Sequence, residues 1–253
     1  MWITEYRDLI EILTISDLRV KYQSSVLGFA WSLINPLFTL LILYFVFSRI
    51  YQMSESQFVL FLFVGIVTWR FLTNGTTRGM ASIVANPGLV KKIYIPRHIL
   101  VFSSVLSSCI SAFLEFIVLF CLLFIFKVQF SISIVLFPLV FFLFFIIVYA
   151  LSLGLAALYV YYRDLNQVWE VLLQAGFFLV PIVYPISVIP EQYLQLYLLN
   201  PITAIIEIFR SILIYGQFPP ATYVAYTAII AVVLLAAGQL LFKKLERRFA
   251  EVV

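Results

Sequence analysis

Few side chains in this chain are placed to do chemistry. Arg70 and Glu115 are the two ionisable residues that fall clearly inside long apolar runs. Charges at such depth are costly, and proton- or sodium-driven carriers bury them for coupling. A mutual structural pair is the competing reading. His98 is the only histidine and stands at the edge of an apolar run, where a solvated interfacial side chain accounts for it better than a metal site or an acid–base centre. The phosphate-cradling GxxxxGK[ST] loop of nucleotide-driven pumps is absent, because no Gly-Lys pair occurs anywhere in the sequence. Neither an ATPase nor a hydrolytic enzyme is legible in these residues.

The elements that would position such groups are membrane helices. Of the 253 residues, 64% are hydrophobic and 11% charged, with a mean hydropathy of +1.10, well outside the usage of soluble domains. That length holds about six spans of roughly 20 residues. The net charge of +4 comes from basic residues flanking apolar runs, as membrane topology requires, so nucleic acid is not an expected partner. Cys109 and Cys121 share one apolar run and are expected as buried thiols without a disulfide role. The first thirty residues lack a signal peptide's apolar core and cleavage site, so the first span is expected to insert uncleaved.

Along the chain, Trp2, Ile3, Tyr6, Leu9, Ile10 and Leu13 follow helical spacing, with Glu5, Asp8 and Glu11 opposite. The pattern predicts an amphipathic helix lying in the interface, a simple anchor or a docking face for a cationic partner. The junction Leu18 to Pro36 turns the chain into the bilayer, with Asn35-Pro36 expected to break or kink the first span. Spans are expected at about Trp31–Tyr51, Gln57–Met80, His98–Phe126, Ile132–Val160, Val168–Pro185 and Ala221–Phe242, the second polar in its later half at Arg70, Asn74, Thr76, Thr77 and Arg78. Residues 1–30 thus form the helix and junction, 31–185 spans one to five, 221–242 span six and 243–253 a tail, all within one transmembrane domain. Pro181, Pro185, Pro190 and Pro201 interrupt runs too short to cross. Residues 186–218 therefore read as two half-helices that dip in and return, a re-entrant hairpin between spans five and six. The expected fold is all-α and integral to the membrane.

Charge then orients the bundle. With both termini cytoplasmic, that side collects Arg7, Arg19, Lys21, Lys91, Lys92, Arg97, Arg163, Lys243, Lys244, Arg247 and Arg248, leaving Arg49, Lys127 and Arg210 outside. The hairpin then lies outside too. No internal repeat of the inverted-transporter kind is visible. What remains is a passage whose energy comes from another subunit.

Several segments together resemble the permease subunit of polysaccharide ABC exporters, the type-2 ABC permeases that move lipid-linked O antigen or teichoic acid. They are the N-terminal helix, LRVKYQSSVLGFAWSLINPL, GIVTWRFLTNG at Gly65 to Gly75, NPGLVKKIYIPR at Asn86 to Arg97, and YYRDLNQVWE leading into span five. The resemblance covers nearly the whole chain, specific as a set and weak motif by motif. It implies a homodimer in the cytoplasmic (inner) membrane, joined by two copies of a separate ATPase that carries ATP and Mg, with no cofactor on this chain. A polysaccharide on a polyprenyl diphosphate lipid would cross between the permeases. Asn86, Pro87, Gly88, Leu89, Lys91 and Lys92, with Arg163 and Asp164, would be segments pressing on the ATPase. Mere topology signals are the plainer account of Lys91 and Lys92.

The 26 Phe, 15 Tyr and 4 Trp could stack on sugar rings, although filling lipid-facing belts is the commoner use of any one ring. Tyr44, Phe177, Phe178 and Tyr184 are the candidate lining residues, because the resemblance places spans one and five at the passage. The hairpin, with Pro185, Pro190 and Pro201, is the candidate outer gate. A type-2 ABC permease for a small hydrophobic molecule, an ion-driven carrier using Arg70 and Glu115, and a lipid-modifying membrane enzyme are the alternatives.

Overall fold

A computed structural model describes residues 6–22, 30–48, 50, 55–92 and 95–249. Trp2, Ile3, Glu5, the junction residues 23–29, Arg49 and most of the loop between the first two spans lie outside the described residues, as do the side chains of Glu55, Lys92 and Arg248. Among the described residues there are helices and no strands. In chain order they are α1 (Arg7–Tyr22), α2 (Ala30–Phe47), α3 (Glu55–Ala81), α4 (Pro87–Lys92), α5 (His98–Ile125), α6 (Phe137–Tyr161), α7 (Leu165–Leu179), α8 (Glu191–Leu198), α9 (Pro201–Leu213) and α10 (Ala221–Leu245). Short 3-10 turns precede α6 and α8 and follow α10.

Among the described residues five segments are long and apolar enough to cross a membrane, at 30–47, 57–81, 98–125, 132–161 and 221–245, each within a few residues of the expected limits. A sixth exists if the bent pair α8 and α9 counts as one span. The segment expected as span five is helical only from Leu165 to Leu179. Pro181 and Pro185 follow at once, and neither can donate to a continuing helix. Of the break or kink expected at Asn35-Pro36, the break does not occur. α2 runs through a buried Pro36, so the ring's lost hydrogen bond is absorbed within a continuous helix.

α3 is the hub. In its apolar window 72% of residues are buried, against 17% for α2 and α10, and it touches α2, α5, α6, α7 and α9. Gly75 and Gly79 set its approach to α6, since a Cβ on Gly79 would lie 2.6 Å from the Cβ of Ser152. Small residues four apart are how membrane helices come close without a hydrophobic drive between them. Ser152 Oγ bonds back to Val148 O at 2.7 Å and reaches Gly75 O at 3.3 Å. On the other side of α6, Gly238 lets α10 pack against Ala150.

On the first helix Ile10 is buried, whereas the acidic residues Asp8 and Glu11 are exposed. That buried face is covered by α5. Asp17 accepts from Ser104 Oγ at 2.8 Å and Lys21 Nζ donates to Ser111 Oγ at 3.0 Å. Cys109 is half-buried, whereas Cys121 is exposed, against the expectation of two buried thiols. Both are free thiols on one helix.

One end of the bundle is knotted. Arg97 Nη1 donates to Glu246 O, Tyr161 OH donates to Leu245 O at 2.8 Å, and the buried Phe249 ring meets Phe242, Tyr161 and the Arg97 guanidinium. The start of α5 and the ends of α6 and α10 therefore share one end, with α4 and the α6–α7 turn attached to it. Burial pushes the Glu246 carboxyl above its ordinary range, while Arg97 and Lys243 pull it back.

Candidate functional site

Polar residues on a membrane helix are informative when they share a face. Arg70, Thr73, Asn74, Thr77 and Arg78 recur at three and four residues, so they form one stripe along α3. Opposite it, Asn166, Glu170 and Gln174 recur every four residues on α7. Between the two stripes runs a groove of about 790 Å³, lined also by Trp69, Leu173, Phe177 and Phe178. Two contacts hold α7 at this spacing. Trp169 Nε1 donates to Thr76 Oγ1 at 3.0 Å, and Gly176 admits the Trp69 ring to a place a Cβ would meet at 2.7 Å. Trp69 and Phe177 then meet edge to face, centroids 6.3 Å apart.

The two arginines of the stripe are treated differently. Arg70 Nε lies 3.2 Å from both oxygens of Glu115, and Nη1 lies 3.4 Å from Asn35 Oδ1. Glu115 is 3% exposed and Arg70 24%. The two residues that stood out in the sequence are therefore a mutual pair, one that joins α2, α3 and α5. Arg78, in the last turn of α3, is half-buried and makes no ion pair or hydrogen bond among the described residues. Among those residues there is also no cluster of His, Cys, Asp and Glu able to hold a metal.

The expected segments at the knotted end are solvent-facing. α4 presents Pro87, Gly88 and Lys91, while Leu89 is half-buried and Val90 packs inward. Asn86 fixes the turn, its Nδ2 donating to Ser82 O at 2.8 Å and its carbonyl accepting from Leu89 and Val90. Arg163 and Asp164 are exposed in the turn before α7, with Arg163 5.6 Å over the Tyr159 ring. Of the four candidate lining rings, only Phe177 and Phe178 meet in the groove. Tyr44 is turned to Phe45 and Phe58. Tyr184 lines a separate hollow with Pro190 and Tyr193, and its hydroxyl donates to the carbonyls of Phe178 and Leu179 at the end of α7.

The proline-rich region forms the two expected short helices, α8 and α9, bent by 96°. Pro185 precedes a 3-10 turn, Pro190 precedes α8, and Pro201 opens α9 beneath an Asn200 cap, whose Oδ1 accepts from Ile202 N at 3.0 Å. Arg210, counted above as an outer charge, is completely buried. Its guanidinium donates to the carbonyls of Pro181 at 2.7 Å, Ile182 at 2.9 Å and Phe61 at 3.3 Å, pairs with Glu207 at 2.7 Å, and lies 3.3 Å from the Phe61 ring centroid. It clasps the chain where α7 has ended, feeding the carbonyls of Pro181 and Ile182, which no helix satisfies, and ties them to α3 through Phe61. Sequence reasoning also passed over the α5 serines 103, 104, 107, 108 and 111, whose spacing of one, three and four could have revealed a polar face buried toward α1 and α3.

Comparison with known proteins fits this architecture. Two relatives are O-antigen export system permease proteins called RfbA: that of Klebsiella pneumoniae is 28% identical over 247 residues, covering 97% of this chain and 95% of the relative, and that of Myxococcus xanthus is 28% identical over 249 residues, covering 98% and 96%. The polysialic acid transport protein KpsM of Escherichia coli is 24% identical over 244 residues, covering 94% and 93%. The model of the ABC-2 type transporter family matches residues 8–214, from α1 through α9. This chain belongs to the ABC-2 type transporter family.

Proposed function

We propose that this chain is the permease subunit of an ATP-driven exporter that moves a lipid-linked polysaccharide, of the O-antigen or teichoic acid kind, across the cytoplasmic (inner) membrane. The observation that carries this reading is the groove between α3 and α7, where two stripes of polar side chains face each other across an open space. Such a wall is expensive in hydrocarbon and is retained where something polar must pass. The near full-length relatives, named for O-antigen export and polysialic acid transport, point to glycans as that cargo.

On this reading two copies of the chain face each other across the passage, and two copies of a separate ATPase supply ATP and Mg. Both termini are cytoplasmic. The exposed turns at Asn86–Lys92 and Arg163–Asn166 take the ATPase's push, because short segments closed by proline and set on helix ends transmit displacement with little slack. The bent pair α8 and α9, clasped through Arg210, is the outer gate. Phe177 and Phe178 offer ring faces to sugars, with Tyr44 and Tyr184 on supporting elements.

The test is purification of the tagged chain from its native membrane in mild detergent, with mass spectrometry of stoichiometric partners. An ATPase bearing a GxxxxGK[ST] loop at one copy per permease is expected. Depleting the chain should remove surface polysaccharide and leave lipid-linked glycan inside. A permease that purifies alone under several mild conditions, with surface glycan unchanged on depletion, would overturn the proposal.

A further inference from the structure

The pair of Arg70 and Glu115 has a third member. On α1, Ile10, Thr14, Asp17 and Lys21 stand four, three and four residues apart, and on α5 Ser104, Ser108, Ser111 and Glu115 keep the same spacing. Each set makes one stripe along its helix. The two stripes meet, since Ser104 Oγ donates to Asp17 at 2.8 Å and Lys21 Nζ donates to Ser111 Oγ at 3.0 Å. Ser111 is one helical turn from Glu115, and the Lys21 charge attracts that carboxylate. Glu115 in turn holds Arg70 Nε at 3.2 Å through both oxygens, and Arg70 lines the groove between α3 and α7. A carboxylate that is 3% exposed therefore stands between a cation of α1 and a cation of the groove wall.

Burial makes that position consequential. Charges away from water are little screened, and one carboxylate divides its attraction between two cations, so what Lys21 loses Arg70 gains. The second hold on Arg70, Asn35 Oδ1 at 3.4 Å, is neutral. Glu115 thus decides how far the guanidinium is drawn back from the groove. α1 is the element placed to vary this balance: it packs on α5, while Asp8, Glu11, Ile12 and Arg19 leave its far side exposed. We infer that Lys21, Glu115 and Arg70 form a relay through which the position of α1 sets the charge presented in the groove. With Lys21 seated on α5, Glu115 is shared and Arg70 turns its charge toward the groove; with Lys21 withdrawn, Glu115 draws Arg70 back. Lys21 and Glu115 are positioning residues in this relay. The inference goes beyond the export reading, because neither cargo nor ATPase enters it.

A plain staple of four helices would use the same contacts and relay nothing, so the experiment must separate the two. Cys109→Ala and Cys121→Ala clear the chain of thiols, and Thr73→Cys places one in the groove, about one turn from Arg70. Full-length protein in nanodiscs of neutral lipid is then reacted with an anionic and a cationic methanethiosulfonate of similar size. The ratio of the two rates reads the local potential, whereas loosened packing speeds both alike. Lys21→Met should lower the anionic-to-cationic ratio about threefold or more, and Lys21→Arg should leave it near the parent value. In a Glu115→Gln background Lys21→Met should no longer move the ratio, the non-additivity expected of groups in one network. An Arg70→Gln background makes the same prediction, and serves if Glu115→Gln does not fold. A Lys21→Met shift of undiminished size in either background would mean direct action through space and overturn the relay. Equal changes with both reagents, or no change at all, would reduce the three residues to a staple and overturn it too.

Discussion

The two faces of α3 follow opposite rules. Toward α6, Gly75 and Gly79 bring the backbones together and Ser152 spends its hydroxyl within the contact. Toward α7, five polar side chains hold the helices apart around a groove of about 790 Å³. The first seam is dry and specified by shape. The second is held by one indole hydrogen bond and one glycine, and it leaves Val168, Val171, Leu172, Phe178 and Leu179 of α7 exposed on the isolated chain. One helix can thus be both the anchor of the fold and the wall of the site, provided that the two duties are kept on separate faces.

The contrast can be broken from either side. The largest effect is expected for Gly79→Leu, which drives a branched side chain into Ser152 and Val105. The two backbones would have to part, so folded protein should be lost, as size-exclusion yield would show. Arg210→Met comes next. The carbonyls of Pro181 and Ile182 and the carboxylate of Glu207 lose their partner, at about 1 to 3 kcal/mol for each buried group left unpaired, and unfolding in mixed detergent should shift by about 3 kcal/mol or more. A smaller cost attends Arg70→Met, which strands Glu115. If the pair serves structure, the double replacement of Arg70 and Glu115 by Met should recover much of that loss, since an apolar pair often substitutes for a buried ionic one. A double variant as unstable as the sum of its parts would contradict the pairing. Smallest is Trp169→Phe, expected to cost about 1 kcal/mol, the ordinary net worth of one hydrogen bond. Its sharper readout is accessibility: a cysteine-reactive probe at Thr77→Cys should label faster as α7 loosens, while a similar probe on the α6 face should not.

The long spans were legible because each is an apolar run ended by charge or proline, and a bilayer allows little other use for such a run. The end of α7 at Leu179 was hidden by apolar residues continuing to Val183, which hydropathy reads as more helix. The α3 stripe was visible in the sequence as the polar half of the second span, but its partner stripe was not. Asn166, Glu170 and Gln174 follow the charged turn at Arg163 and Asp164 and look like an ordinary solvated helix start. The burial of Arg210 was not legible for a simpler reason: charge counting assigns a side from a position between spans, whereas the carbonyls of Phe61, Pro181 and Ile182, from two other stretches of chain, determine whether the charge can be buried. Pairing of Arg70 with Glu115 likewise depended on register between two helices, which spacing within each helix does not contain.

The shortness of α7 has a consequence for the membrane around it. Fifteen residues cover about 22 Å along the axis, where undisturbed hydrocarbon is about 30 Å thick. Where the helix stops, the chain turns into the protein, with Val180, Ile182 and Val183 buried, so the remaining thickness of a bilayer beside α7 has to be met by other elements, and a mismatch of that kind is accommodated by tilt or local thinning.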